Sequence, residues 1–197
     1  MTMLGKMQIQ KYLRRMVSAG CSIAIVETTS EGRLQHRHRG IAYDMMILTN
    51  LYPEHIETHG SFAAYAQAKR DVFAYAARSP RRKKLKIAVP KHADGRIQKL
   101  AFVNADSEVS ADTFCDPAFD ECVLLSSQKA GATGYTLSSV DVTKEGLQFH
   151  INAHAFFTPL LGAYNAMNVL TAVAVCHRFG ISWEPLQSAV ADLNQVP

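Results

Sequence analysis

The sequence predicts an α/β fold: a mostly parallel sheet flanked by helices and continued by an antiparallel β extension. Three observations predict it. Up to Asp106, apolar residues alternate between helical spacing and short strand-like runs, which places a largely parallel sheet between two helical layers. After Asp106, strand-like segments follow one another with turn signals between them, as antiparallel pairing requires. The chain has 197 residues, 48% hydrophobic and 19% charged, enough for one domain that buries roughly 70% of its potential surface. That balance excludes a disordered chain.

The first expected helix runs from about Met7 to Ala19, with Ile9, Leu13, Met16 and Val17 on one side. A short β-branched strand follows at 23–26, and a second at 43–48 within the apolar stretch Ile41 to Leu48. Ser61 is placed to cap a helix whose apolar positions Phe62, Tyr65, Ala68, Val72 and Phe73 recur at helical spacing. Strands are expected near 85–89 and 99–103. In the second half, residues 122–126, 134–140, 146–153 and 155–161 read as strands of the antiparallel section, with Lys144-Glu145-Gly146 as a turn. Leu147, Phe149 and Ile151 alternate with Gln148, His150 and Asn152, so one face is expected buried and the other wet. A last helix is expected from Asn165 to Phe179, showing Asn168, Ala172, Val175 and Phe179 on one side, with Gly180 ending it.

Composition narrows the function classes. Cys21, Cys115, Cys122 and Cys176 are spread without ligand-like spacing, and no eighteen-residue apolar run or leader-like segment is present. They are expected to be reduced thiols of a cytoplasmic protein with no membrane partner, Cys21 and Cys176 in the core. The net charge of +4 is concentrated in Arg78, Arg81, Arg82, Lys83, Lys84 and Lys86. No aromatic residues alternate with these charges as a stacking platform requires, so a solvated connection is expected and no nucleic-acid partner.

The most informative stretch is Thr49-Asn-Leu-Tyr-Pro-Glu-His-Ile-Glu-Thr-His-Gly60, with Lys69 nine residues on. It places acids, imidazoles and a lysine where a buried strand ends and a helix begins, and chemistry in α/β proteins concentrates at such strand ends. Lys69 lies within an apolar helical stretch, where an unpaired ammonium is costly. Either it reaches solvent or pairs with Asp71 or Glu57, or it is modified or sits among phosphates.

Thr49, Asn50, Leu51, Glu54, His55, His59, Gly60, Tyr65, Ala68 and Lys69 together resemble the central-domain signature of the Mur ligases, closest to the UDP-N-acetylmuramoyl-tripeptide synthetase branch. Glu54 stands where that family has Asp. Glu27-Thr-Thr-Ser-Glu-Gly32, Arg37, Val103-Asn-Ala-Asp106 and Gly162-Ala-Tyr-Asn-Ala-Met-Asn168 resemble four further family segments in the same order. The resemblance covers nearly the whole chain. It implies a Mur ligase central domain over residues 1–197, truncated at its N-terminus and ending at the hinge to a C-terminal domain. No Gly-x-x-x-x-Gly-Lys-Ser/Thr loop occurs in this sequence.

The resemblance further implies an ATP- and Mg2+-dependent ligase. Such an enzyme joins a third amino acid, diaminopimelate or lysine, to UDP-N-acetylmuramoyl-L-alanyl-D-glutamate through an acyl phosphate. By that resemblance Glu27, His55 and a carbamylated Lys69 are the catalytic and magnesium-site residues. Glu31, Glu54 and His59 stand around them. Thr2, Thr29 and Arg37 bind the nucleotide-sugar peptide, with Met3 where many members have a second threonine. Asn165 and Asn168 meet the adenine region of ATP; capping of the helix is the local alternative for one of them. His36, His38 and Arg39 are expected in solvent.

Overall fold

A computed structural model describes residues 3–53, 56–81, 88–107, 109, 111–128 and 134–194. Thr2, Glu54, His55, Arg82, Lys83, Lys84 and Lys86 lie outside the described residues, as does most of the strand expected at 85–89. Residues 88 and 89 of that strand are irregular.

Six strands form one sheet in the order β1 to β6: Met45–Leu48, Leu100–Asn104, Glu121–Ser126, Tyr135–Val142, Leu147–Ile151 and His154–Thr158. β1 to β4 pair in parallel, and β4, β5 and β6 pair antiparallel. The helices are α1 Lys6–Ser18, α2 Ser30–Leu34, α3 Ile56–His59, α4 Phe62–Arg78, α5 Tyr164–Arg178 and α6 Trp183–Ala191.

β2 decides the layering. All five of its residues are buried, and their alternation divides two cores. Ala101 and Val103 face Ile9 of α1, Tyr65, Val72 and Phe73 of α4, and Phe114. Leu100 and Phe102 face Val169, Leu170 and Val173 of α5, Leu186 of α6, and Leu147 and Phe149 of β5. α4 and α5 therefore lie on opposite faces of the sheet. Each fully buried apolar side chain of this kind contributes about 1.5–3 kcal/mol.

Local chemistry sets the boundaries. Ser61 Oγ accepts the Ala64 N–H at 3.1 Å and opens α4. Pro80 holds Ser79 extended at ψ 157° and stops it. At the end of α5, Gly180 adopts φ 85° while its N–H and that of Ile181 return to the His177 and Cys176 carbonyls at 2.9 and 3.3 Å.

Several expectations are corrected. Residues 23–26 form no strand, because no neighbouring strand among the described residues gives them a ladder, and Ile23 and Ile25 are 51% and 92% exposed. The 122–126 strand pairs in parallel with β2, since alternation of apolar residues carries no information on ladder direction. Val17 and Cys21 are exposed. Cys176 is half-buried, and Cys115 and Cys122 form a disulfide across 5.5 Å between Cα atoms. α5 buries Ala166, Val169, Leu170, Val173 and Ala174, and the side that carries Asn168 and Ala172 is exposed at both of them. α6 has no counterpart among the expected elements.

Candidate functional site

The site is built at the carboxyl edge of the parallel strands. Asn104, the last residue of β2, donates to the Thr49 carbonyl at 2.7 Å and to Asn50 Oδ1 at 3.2 Å, tying together the ends of β1 and β2. Asp106 accepts from Ser126 Oγ, Ser127 N and Ser127 Oγ, each at 2.6 Å, which ties in the end of β3. Burial raises the Asp106 pKa, but these hydrogen bonds outweigh it and hold the carboxyl below its ordinary value.

Thr29 caps α2, its Oγ1 accepting the Gly32 N–H at 3.0 Å. Gly32 leaves room for Met3: a Cβ there would meet Met3 Sδ at 2.2 Å and Thr29 Oγ1 at 3.1 Å, so the Met3 side chain would have to shift. The Met3 carbonyl in turn accepts from the guanidinium of Arg37, which also donates to Gln35 Oε1 and is only 8% exposed. Met3 thus packs against Gly32 with its side chain and holds Arg37 through its backbone.

From α2 the contacts continue to α4. His59 Nε2 lies 3.0 Å from Ser30 Oγ, and its ring centroid is 5.5 Å from that of Tyr65. Lys69 Nζ stands 5.2 Å over the face of Tyr65, a cation–π placement on a ring that is 1% exposed. Asp71, expected as a partner of Lys69, takes Arg33 at 2.7 Å and Gln67 at 2.8 Å. His59 therefore links Ser30 of α2 to Tyr65 of α4, on whose face Lys69 stands, while Thr29 and Arg37 hold the two ends of the α2 segment through Gly32, Met3 and Gln35.

Glu27 lies two residues before this cap, exposed and with no hydrogen-bond partner among the described residues. Among the described residues no three His, Cys, Asp or Glu side chains group as a metal site, and His55 lies outside them. Asn165 and Asn168 are not part of the α2–α4 set. They stand at the start of α5, Asn165 donating to the Leu161 carbonyl at 2.8 Å and Asn168 donating to Asn165 Oδ1 at 3.1 Å. Their shared face is confirmed, and neither caps the helix through its side chain.

His38 corrects the expectation of exposure. It is 3% exposed and meets Tyr75 edge-on at 4.9 Å. Burial first, then the charge of Arg33, lowers its pKa against the opposing pull of the Gly32 backbone. Sequence reasoning also missed Lys99, which is 1% exposed at the opposite, amino edge of the sheet. Its ammonium donates to the Tyr43 carbonyl and to Ser79 Oγ at 2.8 Å. A lysine directly before the apolar run Leu100 to Val103 was the available signal.

The Mur ligase middle domain family matches residues 1–176. The chain belongs to the Mur ligase family. It is 29% identical to the UDP-N-acetylmuramoyl-L-alanyl-D-glutamate–2,6-diaminopimelate ligase of Gloeobacter violaceus, over 97% of this chain and 35% of that protein. It is 31% identical to the ligase of the same name from Chlorobaculum tepidum, over 88% of this chain and 32% of that protein. The chain thus spans about a third of the length of these relatives. In fold, this Mur ligase domain is similar to a solved UDP-N-acetylmuramoyl-L-alanyl-D-glutamate–2,6-diaminopimelate ligase with a TM-score of 0.77, at 24% identity over 98% of this chain and 37% of that one. MurF from Acinetobacter baumannii aligns with a TM-score of 0.60 at 13% identity, over 82% of this chain and 31% of that one.

Proposed function

We propose that the whole chain is one Mur ligase middle domain, serving a cytoplasmic ligase that adds the third amino acid to UDP-N-acetylmuramoyl-L-alanyl-D-glutamate in peptidoglycan synthesis. The names of the relatives favour diaminopimelate over lysine as that amino acid. The observation that carries this reading is the α2–α4 junction, where His59 links Ser30 to Tyr65 beneath Lys69, with Thr29 capping α2 and Arg37 following it.

Arg37 supplies the anion contact. A guanidinium anchored on the Met3 carbonyl and Gln35 is preorganised to bind a carboxylate or phosphate at low entropic cost. Thr29 keeps the turn before it in place. Glu27, His55 and a carbamylated Lys69 would hold magnesium; the exposed Glu27 carboxylate, without a hydrogen-bond partner among the described residues, is a hard oxygen donor that fits such an ion. A magnesium ion held there would offset the charge of anionic groups that otherwise repel. The face of Tyr65 favours the cationic form of Lys69, so the carbamate needs a neighbouring positive charge to persist. Asn165 and Asn168 offer a paired amide edge to an adenine. This sequence holds no phosphate-cradling loop, so no step through ATP is assigned to its residues.

Calorimetry of the chain against UDP-N-acetylmuramoyl-L-alanyl-D-glutamate tests this reading. Binding that weakens about tenfold or more in Arg37→Ala, with the fold retained by circular dichroism, is the expected result. No binding, or binding indifferent to Arg37→Ala and Thr29→Ala, would sink it. The paired amides of Asn165 and Asn168 support a second reading, a nucleotide or nucleotide-sugar binding module without turnover. Ligand affinity without phosphate release, persisting when a phosphate-loop segment is supplied, distinguishes it.

A further inference from the structure

We propose that Trp183, held between the imidazoles of His154 and His177, is a proton-sensitive clasp that seats α6 on the β extension. The indole stacks on His154 at 4.2 Å and 16° and on His177 at 4.2 Å and 26°, so both of its faces are covered by an imidazole. The three rings come from β6, the start of α6 and the end of α5. Tyr135 of β4 places its hydroxyl 2.7 Å from His177 Nδ1 and meets that ring edge-on at 5.7 Å. Phe156 closes the cluster against the indole at 6.3 Å. All of this lies on the α5 face of the sheet, away from the α2–α4 junction.

In its Nε2–H tautomer neutral His177 accepts the Tyr135 hydroxyl at Nδ1. A second proton occupies Nδ1, so the Tyr135 hydroxyl has to turn and accept instead. The charged and titratable neighbours decide how readily that proton is taken. Arg178 follows on the same helix and is paired with Glu121 of β3, and Cys176 precedes. His154 stands across the indole, Tyr135 comes from β4, and Glu184 follows Trp183 on α6. One cation over an indole face is favourable, but cations on both faces beside Arg178 repel. Burial, then Arg178, then His154 hold His177 below its ordinary value. Proton uptake at His177 thus works against the stack, leaving α6 held by Leu186, Val190 and the Gln187 amide on the Ala155 carbonyl at 2.6 Å.

Trp183 is the sole tryptophan, so its emission in the 197-residue chain reports the clasp directly. Lowering the pH from about 8 to about 5 should quench that emission with a midpoint below the ordinary imidazole range. Over the same range amide exchange across 183–191, corrected for its intrinsic pH dependence, should rise several-fold. His177→Gln should remove the transition and keep α6 protected in acid. His154→Gln should move the midpoint up, because a like charge has gone. Tyr135→Phe should also move it up, because the donor that favours the neutral ring is lost, and it decides the matter if His177→Gln does not fold. Emission unchanged across the range, one midpoint shared by all variants, or exchange in α6 that ignores the titration overturns the proposal.

Discussion

Lys69 and Lys99 are two lysines in apolar surroundings with different solutions. Lys69 is partly exposed and rests its charge on the face of Tyr65, whereas Lys99 is 1% exposed and donates to the Tyr43 carbonyl and Ser79. Removing Lys99 leaves those acceptors without their donor and a hole at the amino edge of the sheet. Lys99→Ala is expected to cost about 2–5 kcal/mol by urea denaturation. Lys69 is to be tested in a version of the enzyme with a phosphate loop restored. If it carries a carbamate, Lys69→Arg fails as fully as Lys69→Ala, because a guanidinium cannot become an anion of that shape. Near-normal phosphate release from Lys69→Arg would reject the carbamate.

At the scale of elements, the connections are more constrained than the strands they join. Gly146 turns the chain from β4 into β5 at φ 146°, and a Cβ there would lie 2.0 Å from the Thr158 carbonyl oxygen. Thr143 closes the turn on the Gly146 carbonyl at 2.8 and 3.1 Å. Gly146→Ala is therefore expected to destabilise by about 2 kcal/mol or more, measured as a lowered urea midpoint with unchanged slope. The Cys115–Cys122 disulfide closes a loop of sequence separation 7 that carries Asp116 and Asp120, the partners of Arg78 and Arg81. Reduction is expected to cost about 2–3 kcal/mol, and equal midpoints with and without reductant would show the pair to be thiols in solution.

The whole molecule should lose stability in two stages on acidification. His38 and His177 have lowered pKa values in the folded chain, for both of which burial is the largest cause. Their contribution is full above the ordinary value of 6.5 and is lost as pH falls below it, because the unfolded chain takes the proton first. Asp106 and Asp120 follow. Burial raises them, but hydrogen bonds from Ser126 and Ser127, and from the Lys99 backbone and Arg81, outweigh it, so both end below 3.8. Their contribution is present above that value and lost as pH falls beneath it. Urea midpoints taken at successive pH values should show both declines, and His38→Gln together with His177→Gln should flatten the first. No helix among the described residues is long and apolar enough to cross a membrane.

Local pattern was enough for whatever depends on neighbours along the chain. Ser61 before an apolar helical period, Pro80 after it, and the alternation Leu147, Phe149, Ile151 fixed α4, its ends and the buried face of β5, because capping, ring closure and pleat are local. The motif around Thr49 and Lys69 likewise led to the family that the match over residues 1–176 shows. What depends on distant partners was decided by tertiary structure. Residues 23–26 have a strand's composition, yet a strand exists only where another offers hydrogen bonds. β3 reads the same for either ladder direction, and only its neighbour β2 makes it parallel. The pairing of Cys115 with Cys122, the burial of Lys99 against Tyr43, and the enclosure of Trp183 by His154 and His177 join residues from different elements. A short window holds Cys115 with Cys122 and His177 with Trp183 without showing that they meet, and it is the packing of the two cores against the sheet that brings these pairs, and the distant ones, within reach.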